Sequence, residues 1–125
     1  MATVDTRIRI EYADQNEGFA RCLPATGRLS HTLAADNDSR PWWVVELEVP
    51  LEYQLKIGEP HHYRLITAHE LVIGIRAEND EIGYAQEAAV HILLPLAEGA
   101  TSGDRLRNAE FYHVAWGVCR RDDAA

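Results

Sequence analysis

WVVELEVPLEYQLKI, residues 43–57, carries an apolar side chain at every odd position: Trp43, Val45, Leu47, Val49, Leu51, Tyr53, Leu55 and Ile57. The even positions include Glu46, Glu48, Glu52, Gln54 and Lys56. Successive side chains of a strand point to opposite faces, so this period of two marks β structure with one face buried and one in water. Pro50 has no N–H to give to a ladder, which makes it a bend at an edge or the break between two strands. The same alternation runs through Val4, Thr6, Ile8, Ile10 and Tyr12 against Asp5, Arg7, Arg9 and Glu11. Together these stretches predict a core that includes Val4, Ile8, Ile10, Trp43, Val45, Leu47, Leu55 and Ile57.

Outward from these two segments the chain is punctuated by turn chemistry. DQNEG (14–18) offers Asn and Gly for a tight reversal, so a second strand is expected from about Phe19. LPATG (23–27) and ADNDSRP (35–41) read as polar breaks. Residues 62–66 and 71–76 read as two strands about a turn at 67–69, and ENDEIG (78–83) as an acidic loop. Over 84–94, Ala85, Ala88, Ala89 and Ile92 fit a helical stripe while Val90, Ile92, Leu94 and Leu96 fit a strand. A strand from Ala89 is the reading adopted, with one short helix near 84–93 as the alternative. FYHVAWGVC (111–119) is a last strand with Tyr112, Val114, Trp116 and Val118 on one face, and residues 120–125 form a frayed tail. About seven short strands with little helix, in 125 residues, predict an all-β fold: one domain over 1–125, built as a single closed barrel or flattened sandwich.

Composition and charge remove several functions. With 46% hydrophobic and 26% charged residues the chain can bury a core. Its longest uncharged stretch, 88–97, is interrupted by Pro95 and is far short of the roughly 20 residues a membrane helix needs. The opening MATVDTRIRI has no apolar signal core, and Cys22 and Cys119 read as reduced thiols, so a cytoplasmic protein is expected. A net charge of −8 works against nucleic acid as a partner. The excess is local: residues 36–98 hold twelve acids against Arg40, Lys56, Arg64 and Arg76, while both flanks are neutral. A negative middle segment steers a basic protein partner.

Three stretches resemble a known barrel. RIRIEYADQNEGFARCLPATGR (7–28), KIGEPHHYRLI (56–66) and GDRLRNAEFYHVAWGVCR (103–120) are similar to the opening strand and turn, the Pro-Gly-acid turn and the closing hairpin of the C-terminal β-barrel domain of elongation factor Tu and its relatives. The chain has Gly18-Phe19-Ala20-Arg21 where that family has Gly-Gly-Arg, and Gly27-Arg28-Leu29-Ser30 in place of its Gly-Tyr-Arg-Pro. The resemblance implies a barrel. It implies no nucleotide chemistry, since no Gly-x-x-x-x-Gly-Lys-Ser/Thr occurs.

Candidate chemistry is sparse. His61, His62, His69 and Glu70 would make a two-His-carboxylate metal set if the chain reversed at Thr67–Ala68, giving as the alternative function a small metal-dependent β-barrel enzyme. Adjacent His61 and His62 point to opposite faces of a strand, and no third ligand has diagnostic spacing, so surface histidines are the simpler reading. His91 and His113 read as neutral imidazoles within strands, and Cys22 and Cys119 as buried thiols rather than nucleophiles paired with His31 or His113. Asp14-x-Asn16-x-Gly18 and Asp36-x-Asp38 lack the closing Glu of a calcium loop. No catalytic residue and no cofactor is therefore assigned. Trp42 shares the outer face of its strand with Glu46 and Glu48, an anchor with an acidic rim. With Glu78, Asp80 and Glu81 of the acidic loop these form the predicted partner surface. The expected function is a small non-enzymatic acidic protein-binding module, an adaptor, immunity-type inhibitor or assembly subunit, that engages a basic protein surface.

Overall fold

The computed structural model of the protein describes residues 6–14, 17–35, 38–57, 62–76 and 88–121. Six strands, β1 (Arg7–Asp14), β2 (Ala25–Ala35), β3 (Asp38–Ile57), β4 (His62–Ile75), β5 (Ala88–Pro95) and β6 (Phe111–Arg121), each pair antiparallel with the next, and β6 returns to β1 to close a barrel. The all-β expectation is met. The helix alternative near 84–93 is not met from Ala88 onward, where β5 pairs with both β4 and β6. Val4, and the side chains of Leu55 and Ile57, lie outside the described residues.

Inside the ring, Ile8, Ile10, Val45, Leu71, Ile73, Val90, Ile92 and Leu94 are excluded from water, and Leu47 nearly so, while Trp43 packs against them half-buried. The strand expected from Phe19 is instead a single helical turn, α1 (Glu17–Ala20). It is continued by Cys22 N–H to Phe19 O and Leu23 N–H to Ala20 O. This turn swings Phe19 into the barrel, where its fully buried ring meets Tyr53 edge to face at 6.0 Å. A second, smaller cluster lies on the opposite face of the sheet. Leu33, Val44, Val72 and Leu93 are covered there by Ala100, Leu106 and Phe111. Ala34 ties that cover down, accepting from Leu106 N–H and donating to Asp104 O.

Bulges decide which way many side chains face. An extra residue on one strand breaks the alternation, increases twist and re-aims the side chains beyond it. In β1, Ile10 pairs with Cys119 but Tyr12 with Val118, so Glu11 is extra and Tyr12 turns out to 49% exposure rather than joining Ile8 and Ile10. In β6, Ile92 pairs with Ala115 but Leu93 with His113. The four residues expected on one face are therefore split: Tyr112 and Val114 face in, while Trp116 and Val118 face out. The turn expected at 67–69 is a further case. β4 runs through it unbroken, and its inward positions change from Ala68 to Leu71, three residues on. Opposite, β3 is one 20-residue strand that bulges across Pro50 between Glu46 and Leu51. The polar break at 35–41 shrinks to the short link between Ala35 and its partner Asp38.

Two glycines mark where strands cross most closely. A Cβ on Gly117 would stand 2.6 Å from the carbonyl oxygen of Tyr12, beside the β1 bulge. One on Gly27 would stand 2.4 Å from the carbonyl oxygen of Glu46 and 2.7 Å from Val45 Cγ1. Since backbone cannot yield as a side-chain tip can, Gly27→Ala is expected to cost about 1–3 kcal/mol. Urea unfolding should show a lower midpoint with unchanged slope.

The β1–β6 seam carries an ionic clamp. Arg9 and Arg120 are directly opposed across it, and the Glu11 carboxylate bridges both, at 3.1 Å and 2.7 Å. Burial alone would raise the Glu11 carboxyl, but hydrogen bonds and charge from Arg120 and Arg9 outweigh it and hold the group below its usual range. A carboxyl depressed in the folded state stabilises it above the unfolded-state value and ceases to as pH falls through the lower folded-state value. Glu11→Gln should therefore lower stability at pH 7, where it leaves two arginines face to face. Its penalty should shrink as the pH falls below the ordinary carboxylate range, and in high salt, as read by thermal melts across pH.

Candidate partner surface

The predicted anchor is the first residue to relocate. Trp42 does lie on the outer face of β3, but it is half-buried with Nε1 enclosed, so it is no exposed anchor. The reason is Gly74 on β4, whose missing side chain leaves the space the indole fills; a Cβ there would be 2.5 Å from the ring. Gly74 is the register partner of His91 on β5, and His91 of Trp116 on β6. The result is a row of rings across the sheet. Trp42 meets His91 edge to face at 5.7 Å, and His91 lies 3.5 Å from Trp116, with His113 5.1 Å from the same indole. The Arg76 guanidinium stands 3.8 Å above Trp116, a cation–π contact. Period-two reading misses this row because it sets Trp116 on one face with Tyr112 and Val114, which turn inward. The signal for it is the single Gly74 in the apolar run 71–75, which marks a close approach.

Glu46 and Glu48 are on the outer face, as expected, yet the sheet answers their charge. Arg28 is the register partner of Glu46, and Arg7 Nε donates to Glu48 at 2.8 Å. Glu70 lies opposite Glu46 on β4, where Thr101 Oγ1 donates to it at 2.8 Å. Thr101 belongs to a longer chain of bonds. Its carbonyl accepts from His31 Nε2 at 2.5 Å, which leaves His31 Nδ1 to accept from Ser30 Oγ at 2.9 Å. These bonds pin the 96–110 segment to β2 and β4.

The histidine set is not gathered. Without the reversal at Thr67–Ala68, His62 and His69 lie on the same strand, seven residues or about 23 Å apart at ~3.3 Å per residue. Among the described residues no group of three His, Cys, Asp or Glu could hold a metal ion. His61, Glu78, Asp80 and Glu81 lie outside the described residues. Cys119 is sealed in the barrel core, on the opposite face from exposed His113, and burial pushes its thiol up to about 12. Cys22 is half-buried and also raised by burial, its thiol directed at the carbonyls of Glu52 and Gly18. A thiol raised in this way is a poor nucleophile.

What the sequence reading did not single out is the far end of the β3–β4 hairpin. β2 leaves β3 after Leu47, and β5 meets β4 only over Val72 to Ile75. Residues 51–57 and 62–68 therefore pair with each other and, among the described residues, with no third strand. Four large hydrophobic side chains are exposed in the described structure, and three of them, Val49 (72%), Tyr63 (65%) and Leu65 (61%), belong to this hairpin. Among the described residues no helix is long and apolar enough to cross a membrane. Comparison of the chain with protein-family profiles, with curated proteins and with solved structures finds no match in any of the three.

If the indole of Trp42 lies where Gly74 makes room for it, Gly74→Ala must push it outward. The expected outcome is a loss of about 1–3 kcal/mol and easier acrylamide quenching of tryptophan fluorescence.

Proposed function

We propose that the protein is a small non-enzymatic binding module that engages a basic protein surface, and that the projecting β3–β4 hairpin is the centre of the contact. The observation that carries this reading is the exposure of Val49, Tyr63 and Leu65 on one hairpin. Exposed large apolar side chains that lie together mark interaction sites, and Tyr63 and Leu65, two residues apart on β4, share one face. The hairpin lies in the part of the chain, residues 36–98, that holds the entire charge excess of −8. Glu46 and Glu48 on β3 and Glu70 on β4, the acidic groups that precede the ribbon on its own strands, favour a partner of opposite charge, speed its approach and reject acidic competitors. Glu46 and Glu48 belong to the rim of this surface, with Arg7 and Arg28 setting how much of their charge a partner feels. Trp42 acts from beneath, by holding the sheet, rather than as the anchor. An adaptor, an inhibitor of a basic toxin and a subunit of an assembly would each use such a surface.

Affinity capture from the native cell tests this reading. The wild-type protein should retain a basic partner, and Tyr63→Ser/Leu65→Ser should lose it, each truncated anchor costing about 1–2 kcal/mol. Both side chains are exposed, so the melting temperature should hardly move. Raising salt should slow association. Equal capture by the double variant would place the interface elsewhere.

A further inference from the structure

β3 accompanies β4 past its bulge to His62, but β5 joins β4 only over Val72 to Ile75. Pro95 gives the reason. It closes β5 and has no N–H, so the β4–β5 ladder cannot be carried on beside Glu70. The chain turns away at this point. Gly99 takes φ +79° in the next turn, after Leu96 has donated its N–H to Glu110 O on the β6 side. Between β4 and the departing chain a groove of ≈ 360 Å³ opens, lined by residues 66–70 and 95–101.

One wall of the groove is a strand edge. Between Ile66 and Glu70, β4 has β3 on one side, and on the other no described strand pairs with it. A free edge of this kind is a template for an added strand. The lining carries two carboxylates, Glu70 and Glu98, beside His69, and no Lys or Arg. Thr101 fixes the Glu70 carboxylate within the groove, and Glu98 is exposed at its rim. The same edge continues toward exposed Leu65 and Tyr63.

We infer that an extended segment of a basic partner adds a strand to β4 between Ile66 and Glu70, setting a Lys or Arg against Glu70 and Glu98. This rests on the binding-module reading and gives its mode. Main-chain hydrogen bonds to the edge supply affinity, and the two carboxylates select the cationic side chain.

The test uses the full chain and a fluorescent octapeptide of alternating Lys and Val, with the fully N-methylated peptide as its counterpart. Both peptides carry the same charge, but only the first can add as a strand. The expected result is salt-sensitive binding of the unmethylated peptide, amide shifts at residues 66–70, and no binding of the methylated one. Glu98→Lys, at an exposed position, should weaken binding roughly fivefold or more, and Glu70→Lys further still. Equal binding of both peptides, unchanged affinity in Glu98→Lys, or amide shifts confined to other residues would each overturn the inference. The two failures are distinguishable. A cellular partner lost from Tyr63→Ser/Leu65→Ser but held normally by Glu98→Lys would leave the binding surface standing and remove the groove from it.

Discussion

Closing a ring with six strands is the constraint on which the rest of this structure depends. A ring this small must coil each strand sharply, and coiling is achieved where a residue is added to one strand or where a side chain is missing. Both devices occur together at the seam. Glu11 is the extra residue of β1, Gly117 on β6 gives way to the carbonyl of Tyr12, and the bulged Glu11 holds Arg9 and Arg120 against each other. The interior then fills with Ile, Val and Leu interleaved with small residues such as Ala25, Ala68, Ala88 and Ala115. Phe19, brought in by the helical turn rather than by a strand, completes the core edge to face against Tyr53.

This constraint also sets what period-two reading can and cannot see. Alternation over residues 43–57 and 7–10 locates β3 and β1, and Val45, Leu47, Ile8 and Ile10 do face inward. The bulges in β1, β4 and β6 reverse the parity for what lies beyond them, whereas the one across Pro50 in β3 keeps Leu47 and Leu51 on the same face, and nothing local announces either outcome. Carried through Glu11 and past Val114 without a break, the pattern puts Tyr12 and Trp116 inward, and both face out. At 67–69 the broken pattern is visible but reads as a turn, since a bulge and a reversal look alike until the partner strand is known. The helical turn at 17–20 is hidden for a similar reason. Gly18 suits a hairpin equally well, and the partner that Phe19 packs on, Tyr53 on β3, is distant in sequence.

The candidate surface is legible in charge and not in shape. Counting along the chain finds the acidic middle, because charge is a property of composition. It does not find that Arg7 and Arg28 come back across β1 and β2 to face Glu48 and Glu46, a pairing made by the sheet. Trp42 looks like an anchor for want of knowledge of Gly74, which lies more than thirty residues away in sequence and directly beneath it in space. Tyr63 and Leu65 read as an ordinary strand, which they are. Their exposure is set by where β5 stops, and that is decided elsewhere.

A closed barrel removes sheet edges, and with them the commonest route by which β proteins associate. This one restores an edge through a single residue. Because Pro95 cannot donate, β5 leaves β4 early; because β3 and β4 run on without it, a two-stranded ribbon continues past the last point of ring pairing. An isolated ribbon of two strands is only marginally stable in water. Here it is rooted by Tyr53 and Ile66, which join the barrel core, and by the packing of Phe19 on Tyr53. Exposed Glu52 and Arg64 blunt it against unselective pairing, as charged side chains do on natural edges. The edge is thus rooted in the core and set among charges, while Tyr63 and Leu65 on the same strand keep it apolar, so charge and apolar surface together decide what can pair with it.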